Sequence, residues 1–135
     1  MTEKFSFTSV WGGLEKALGI THRRHALIAG NISHLDTPRY KPQEIDFQSA
    51  LKQAMGEGPK VSLARTDSKH LGMAPEGLAG VEVKEEEEEW NGFNWVNIDR
   101  EMTRLTENDL MYRTASEILI RKIALLKEVI REGGR

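Results

Sequence analysis

The chain has 135 residues, 19 Lys+Arg against 21 Asp+Glu, a formal net charge of −2 and no cysteine. That length suits one domain. The charge balance excludes a general nucleic-acid binder, which needs a basic surface, and the missing thiols exclude disulfides, thiol catalysis and Cys-ligated zinc. No run approaches the roughly 18 apolar residues that span a bilayer. Residues 1–19 lack the basic flank and continuous apolar run of a Sec signal, so either the protein is cytoplasmic or it leaves the cell by another route, without a cleaved signal peptide.

Charge is segregated along the chain. Residues 1–56 carry net +2, residues 57–90 net −5 and residues 91–135 net +1. The pattern predicts four segments: an N-terminal helix over 1–36, a Thr-Pro loop and short helix over 37–56, an acidic loop-rich region over 57–96, and a C-terminal helix over 97–135. The fold class is mainly α. Two long terminal helices form an antiparallel coiled-coil hairpin around a middle with room for a small β element.

The first arm carries a seam in alternating steps of four and three: Phe7, Trp11, Leu14, Leu18, Thr21, His25, Ile28, Ile32 and Leu35. A 3.5-residue period sustained over four heptads marks a coiled-coil stripe. Gly12, Gly13, Gly19 and Gly30 interrupt it. Each costs ~1 kcal/mol relative to Ala in a helix interior, so this helix depends on partners. It should stop near Leu35, because Pro38 and Pro42 drive the intervening residues toward extended geometry.

A short helix follows from Phe47 to Met55 with Asp46 as its cap, and Gly56-Glu57-Gly58-Pro59 breaks it. The runs Val61-Ser62-Leu63 and Val81-Glu82-Val83 suggest two short strands. Glu85 to Glu89 read as a solvated acidic loop, leading into the aromatic turn Trp90 to Trp95.

The second arm runs Ile98, Met102, Leu105, Asp109, Tyr112, Ser116, Leu119, Ile123, Leu126 and Ile130. Asn97 is placed to cap it, and Gly133 to end it. The apolar members of the two seams form the predicted assembly surface: Trp11, Leu14, Leu18, Ile28, Ile32 and Leu35 with Ile98, Met102, Leu105, Tyr112, Leu119, Ile123, Leu126 and Ile130. Their polar members, Thr21, His25, Asp109 and Ser116, read either as polar residues tolerated at partly exposed positions or as a register layer. Aligning Leu35 with Ile98, or Phe7 with Ile130, sets His25 against 108–112 and Thr21 against 112–116.

No phosphate loop, G-x-S-x-G or H-E-x-x-H motif is present. His22 and His25 share a helix face but lack a third ligand at a usual spacing, and His34 and His70 are isolated. No catalytic residue, cofactor, metal or small-molecule substrate is therefore expected.

The stretch Asn31-Ile32-Ser33-His34-Leu35-Asp36-Thr37-Pro38-Arg39-Tyr40-Lys41 resembles the N-terminal signature of bacterial flagellar axial proteins, roughly Asn-Ile-Ala-Asn-x-x-Thr-Pro-Gly-Tyr-Lys. Asn31, Ile32, Thr37, Pro38, Tyr40 and Lys41 match; Ser33, His34 and Arg39 depart. Arg39 in place of Gly predicts a turn without positive φ. Asn94, Val96, Asp99, Glu101, Met102, Asn108 and Tyr112 are similar to the entry into the C-terminal helix of proximal rod proteins in that family. The resemblance implies a structural subunit that leaves through the flagellar type III export apparatus. It would pack with other copies of itself and other rod subunits, next to the adaptor FliE and the membrane-embedded ring, in the periplasmic part of the basal body. A sibling rod subunit and a soluble helical adaptor or chaperone share parts of the pattern.

Overall fold

The computed structural model describes residues 7–56, 81–86 and 89–134. Five elements follow in order: α1 (Phe7–Ser33), β1 (Gln43–Glu44), α2 (Phe47–Ala54), β2 (Lys84–Glu85) and α3 (Ile98–Gly133). The chain is mainly helical, with two long terminal helices and one small antiparallel sheet.

The helix ends follow their capping chemistry. Asn97 Oδ1 accepts the amides of Asp99 and Arg100 at 3.0 and 3.2 Å, and Asp99 and Glu101 occupy the electropositive first turn of α3. Asp46 accepts from the Gln48 amide at 3.0 Å and the Ser49 hydroxyl at 2.9 Å. The Ser49 hydroxyl bond, acting against desolvation, holds the Asp46 carboxyl below its ordinary range, with the Ser49 and Gln48 amides and the charge of Lys84 adding to it. Helix α2 closes at Ala54, and Gly56 turns the chain at φ +87°.

Three expectations are corrected. Arg39 does take a positive φ, +58°. Its amide donates to Phe93 O at 3.0 Å, and Tyr40 O accepts the Trp95 amide at 3.1 Å. Pairing residues 39–40 with 93–95 is compatible with the left-handed turn that the usual Gly would supply without a Cβ penalty. The second strand lies at Lys84–Glu85, just after Val81-Glu82-Val83. Its partner is β1, with Gln43 opposite Glu85 and Glu44 opposite Lys84; Val61-Ser62-Leu63 falls outside the described residues. The acidic run is not simply solvated. Glu85 is in β2, the Glu86 amide donates to Pro42 O at 2.9 Å, and the Glu86 carboxylate pairs with Arg104; Glu87 and Glu88 are not among the described residues.

The apolar core is small and off the predicted seam. Ile20, Ile45, Ala50, Ala54 and Val81 are buried together, with Leu27, Phe47, Leu51 and Val83 packed on them. This cluster fastens α2 and the β turn to one side of α1. Helices α1 and α3 meet on another side and run antiparallel, because Asn31 contacts Glu101 while Thr21 contacts Asn108. Those two bonds place Thr21 about one helical turn nearer the start of α3 than the seam alignment predicts.

Candidate functional site

The end of α1, the loop after it and the start of α3 are joined by buried amides. Asn31 is 1% exposed and uses both ends of its side chain. Its Nδ2 donates to Gln43 O and Glu101 Oε2, each at 2.9 Å. Its Oδ1 accepts the Gln43 amide at 2.9 Å and the Tyr40 hydroxyl at 3.3 Å. Asn94, fully buried, does the same for the opposite loop. Its Nδ2 donates to Leu35 O at 2.6 Å and its Oδ1 accepts the Val96 amide at 3.0 Å. Asn91 supports it from within the turn, donating to Asn94 Oδ1 at 2.9 Å. Burying such groups is costly unless every donor and acceptor is met, so these residues specify where the loops sit.

A charge cluster continues from Glu101. Arg24 grips Glu44 through two bonds of 2.8 and 3.1 Å, and the Ile45 amide donates to the same carboxylate. Arg104 reaches three acids: Glu44 at 3.1 Å, Glu101 at 2.7 Å and Glu86. Burial pulls the Arg104 guanidinium toward lower pKa, but the Glu86 bond and the charges of Glu86, Glu101 and Glu44 outweigh it and raise it. For the Tyr40 hydroxyl burial acts the other way and raises the pKa, helped by the negative charges of Glu101 and Glu85. Five segments thus converge on one electrostatic knot: α1, β1, the 84–86 strand end, the Tyr40 loop and α3.

The remaining motif residues frame this knot. Val96 is buried, Ile32 and Thr37 are half-buried, and Pro38 and Asp99 are exposed. Tyr40 stacks on His34 at 4.4 Å, and Lys41 Nζ lies 5.5 Å from the centre of the Trp95 ring. Met102 and Tyr112 are exposed.

The predicted assembly residues divide between two faces. On α1, Ile28 is buried and Trp11, Leu14, Leu18 and Ile32 are half-buried, as is Leu35 in the turn just past its end. On α3, Leu105, Leu119 and Leu126 are half-buried, whereas Ile98, Met102, Tyr112, Ile123 and Ile130 are exposed. The inward residues of α3 are instead Glu101, Arg104, Asn108 and Ala115. Within the chain, α3 therefore turns a largely polar face inward and leaves apolar residues outside.

Of the polar seam residues, Thr21 is buried and its carbonyl accepts from Asn108 Nδ2 at 2.9 Å. His25 and Asp109 are exposed and border one notch; Asp109 pairs with Arg113 at 2.9 Å, and Ser116 is half-buried. Among the described residues no group of His, Asp or Glu could hold a metal ion.

Arg24, Glu44 and Arg104 were not singled out from the sequence, and Glu86 was read only as part of a solvated acidic run. The opposite charges at 101 and 104 carry a helical i,i+3 signal. Nothing local announces that Glu44 and Glu86 meet Arg104, since loop and strand geometry brings them there.

No model of a known protein family matches the chain. Over 129 residues it is 30% identical to the flagellar basal body rod protein FlgB of Bacillus subtilis (strain 168), covering 94% of this chain and 97% of that protein. It is 30% identical over 126 residues to FlgB of Yersinia enterocolitica, covering 88% and 91%, and 29% identical over 127 residues to FlgB of Escherichia coli (strain K12), covering 89% and 91%. The matches run through both helical arms and the knot between them, and on that likeness the chain belongs to the FlgB family of flagellar basal body rod proteins.

Proposed function

We propose that this rod subunit assembles through the outward faces of its two terminal helices, packing as a coiled coil against other copies of itself and other rod subunits. The observation that carries this is the inverted polarity of α3. Leu125, Val129 and Ile130 are 61%, 66% and 73% exposed, and Leu110 and Ile120 are similarly bare, while Glu101 and Asn108 are buried. Apolar surface of this extent on a long helix marks a face that another chain covers. A contact between identical subunits that does not close on itself propagates as a helical assembly. The proposed product is the proximal rod, a drive shaft transmitting motor torque, with the buried knot holding each subunit's loops to its helices under load.

The finer placement belongs to the same proposal: the periplasmic part of the basal body, beside the adaptor FliE and the membrane-embedded ring, reached through the type III export apparatus without a cleaved signal. Thr21, His25, Asp109 and Ser116 would hold the register of the pair; what fixes Thr21 opposite Asn108 is the buried bond that the Asn108 amide donates to the Thr21 backbone carbonyl. The family likeness favours this over a cytoplasmic adaptor.

The test substitutes the exposed stripe while sparing the knot. Leu125→Glu with Val129→Glu should leave circular dichroism of the isolated chain unchanged, abolish motility and remove the subunit from purified basal bodies. Full motility with normal incorporation would overturn the proposal.

A further inference from the structure

A notch of about 230 Å³ opens between α1 and α3, lined by Thr21, His22, His25, Asn108, Asp109 and Tyr112. Asn108 is 2% exposed, and its Oδ1 is the one buried side-chain polar atom without a hydrogen-bond partner among the described residues. Its Nδ2 is already committed to Thr21 O. Thr21 Oγ1 spends its proton on Leu18 O at 2.9 Å, so its oxygen can only accept here. Asp109 adds a carboxylate, of which Oδ2 already pairs with Arg113 at 2.9 Å, and the rings of Tyr112, His22 and His25 add flat faces. No Lys or Arg is among the lining residues. Unmet acceptors, one anion and aromatic faces together fit a planar cation that donates in several directions, which is a guanidinium.

We propose that this notch seats the Arg131 guanidinium of a second copy of the chain; the inference rests on the assembly reading above. Among the described arginines, Arg24, Arg100, Arg104, Arg113 and Arg121 are held in ion pairs within their own chain, Arg23 is engaged as well, and Arg39 sits in the loop beside Phe93, away from the bare end of α3. Arg131 is exposed in the last turn of α3, and no ion pair among the described residues engages it. It stands next to Ile130 on the bare end of α3, so covering that end with a neighbour brings Arg131 onto the neighbour's helix pair. It cannot reach the notch of its own chain. Arg131 follows Asp109 by 22 residues on one helix that contains no Gly or Pro before Gly133, a separation of about 33 Å at 1.5 Å per residue. A contact displaced that far along the axis joins unlike surfaces and repeats from copy to copy.

The chain is tested at full length in flagellated cells, with a benzophenone amino acid at position 112 and, separately, at position 22 to guard against one probe disturbing assembly. Control cells carry the unsubstituted chain. Basal bodies are purified and the adducts are mapped by mass spectrometry. The expected adduct joins the notch to residues 127–134 of a second copy, and Arg131→Leu lowers its yield about tenfold, the scale of one charge-assisted hydrogen bond. An adduct within one chain, an adduct to a different protein, no adduct from either position, or a yield indifferent to Arg131→Leu overturns the notch. In each of those cases, recovery of the control chain in basal bodies leaves the assembly reading standing; its absence there defeats both.

Discussion

Removing the Glu101 carboxylate should unfasten the knot from α3. Glu101 is fully buried, accepts from Arg104 at 2.7 Å and accepts from Asn31 at 2.9 Å. Glu101→Ala strips one anion from a buried Arg and leaves one Asn31 hydrogen unmet. Breaking a buried ion pair costs about 3–5 kcal/mol. Arg104 keeps Glu44 and Glu86, so the low end, about 3 kcal/mol, applies. Glu101→Gln keeps the shape and one acceptor but loses the charge, and should cost about 1 kcal/mol, the difference between charged and neutral hydrogen bonds. Urea unfolding of the dilute chain, followed by circular dichroism, reads both. With a slope of about 1–3 kcal/mol per molar, the alanine variant should lose about 1–3 M in midpoint with the slope unchanged. Asn31→Ala combined with Glu101→Ala should cost less than the sum of the two alone. A Glu101→Ala unfolding free energy within about 0.5 kcal/mol of the parent, the range of an ordinary surface substitution, would refute the reasoning.

Three further outcomes are expected. Arg39→Gly should leave stability equal or raise it by up to about 1 kcal/mol, because relief of the left-handed penalty exceeds the added chain entropy, whereas Arg39→Val should lower the melting temperature; a lower melting temperature for the glycine variant would contradict the turn geometry. Asp46→Ala should cost about 1 kcal/mol or less at neutral pH as the exposed cap of α2 is lost. Since the folded carboxyl titrates below its unfolded value, the parent's advantage is present above about pH 4 and fades as pH falls through the folded value, a trend that melting curves on both sides of that pH will read. Tyr40→Phe removes the hydroxyl bond to Asn31 and should cost about 0.5–1.5 kcal/mol. Because the Tyr40 hydroxyl titrates above its unfolded value, its contribution is present below about pH 10 and is lost as pH rises through the folded value, so the parent should lose more stability than Tyr40→Phe in an alkaline titration.

Local rules were enough to locate the helices and their caps. Asn97, Asp46 and the proline pair act within a few residues of themselves, so their chemistry is legible without a fold. The flagellar signature was equally readable, as a string of residues in order. What those residues do was not. Asn31, Tyr40, Asn94 and Glu101 lie up to 70 positions apart in the chain, and only the antiparallel approach of α1 and α3 brings the first and last within 2.9 Å. The same approach decided which face of α3 turns inward. Periodicity marks an apolar stripe but does not say whether the chain itself or a neighbour covers it. Here, the polar bonds at Thr21 and Asn31 set the register, drawing Asn108 and Glu101 inward and leaving Ile98, Met102 and Ile130 outside. Arg39 shows the same division: its type argued against a left-handed turn, and the structure places one there, beside the distant 93–95 segment with which residues 39–40 pair.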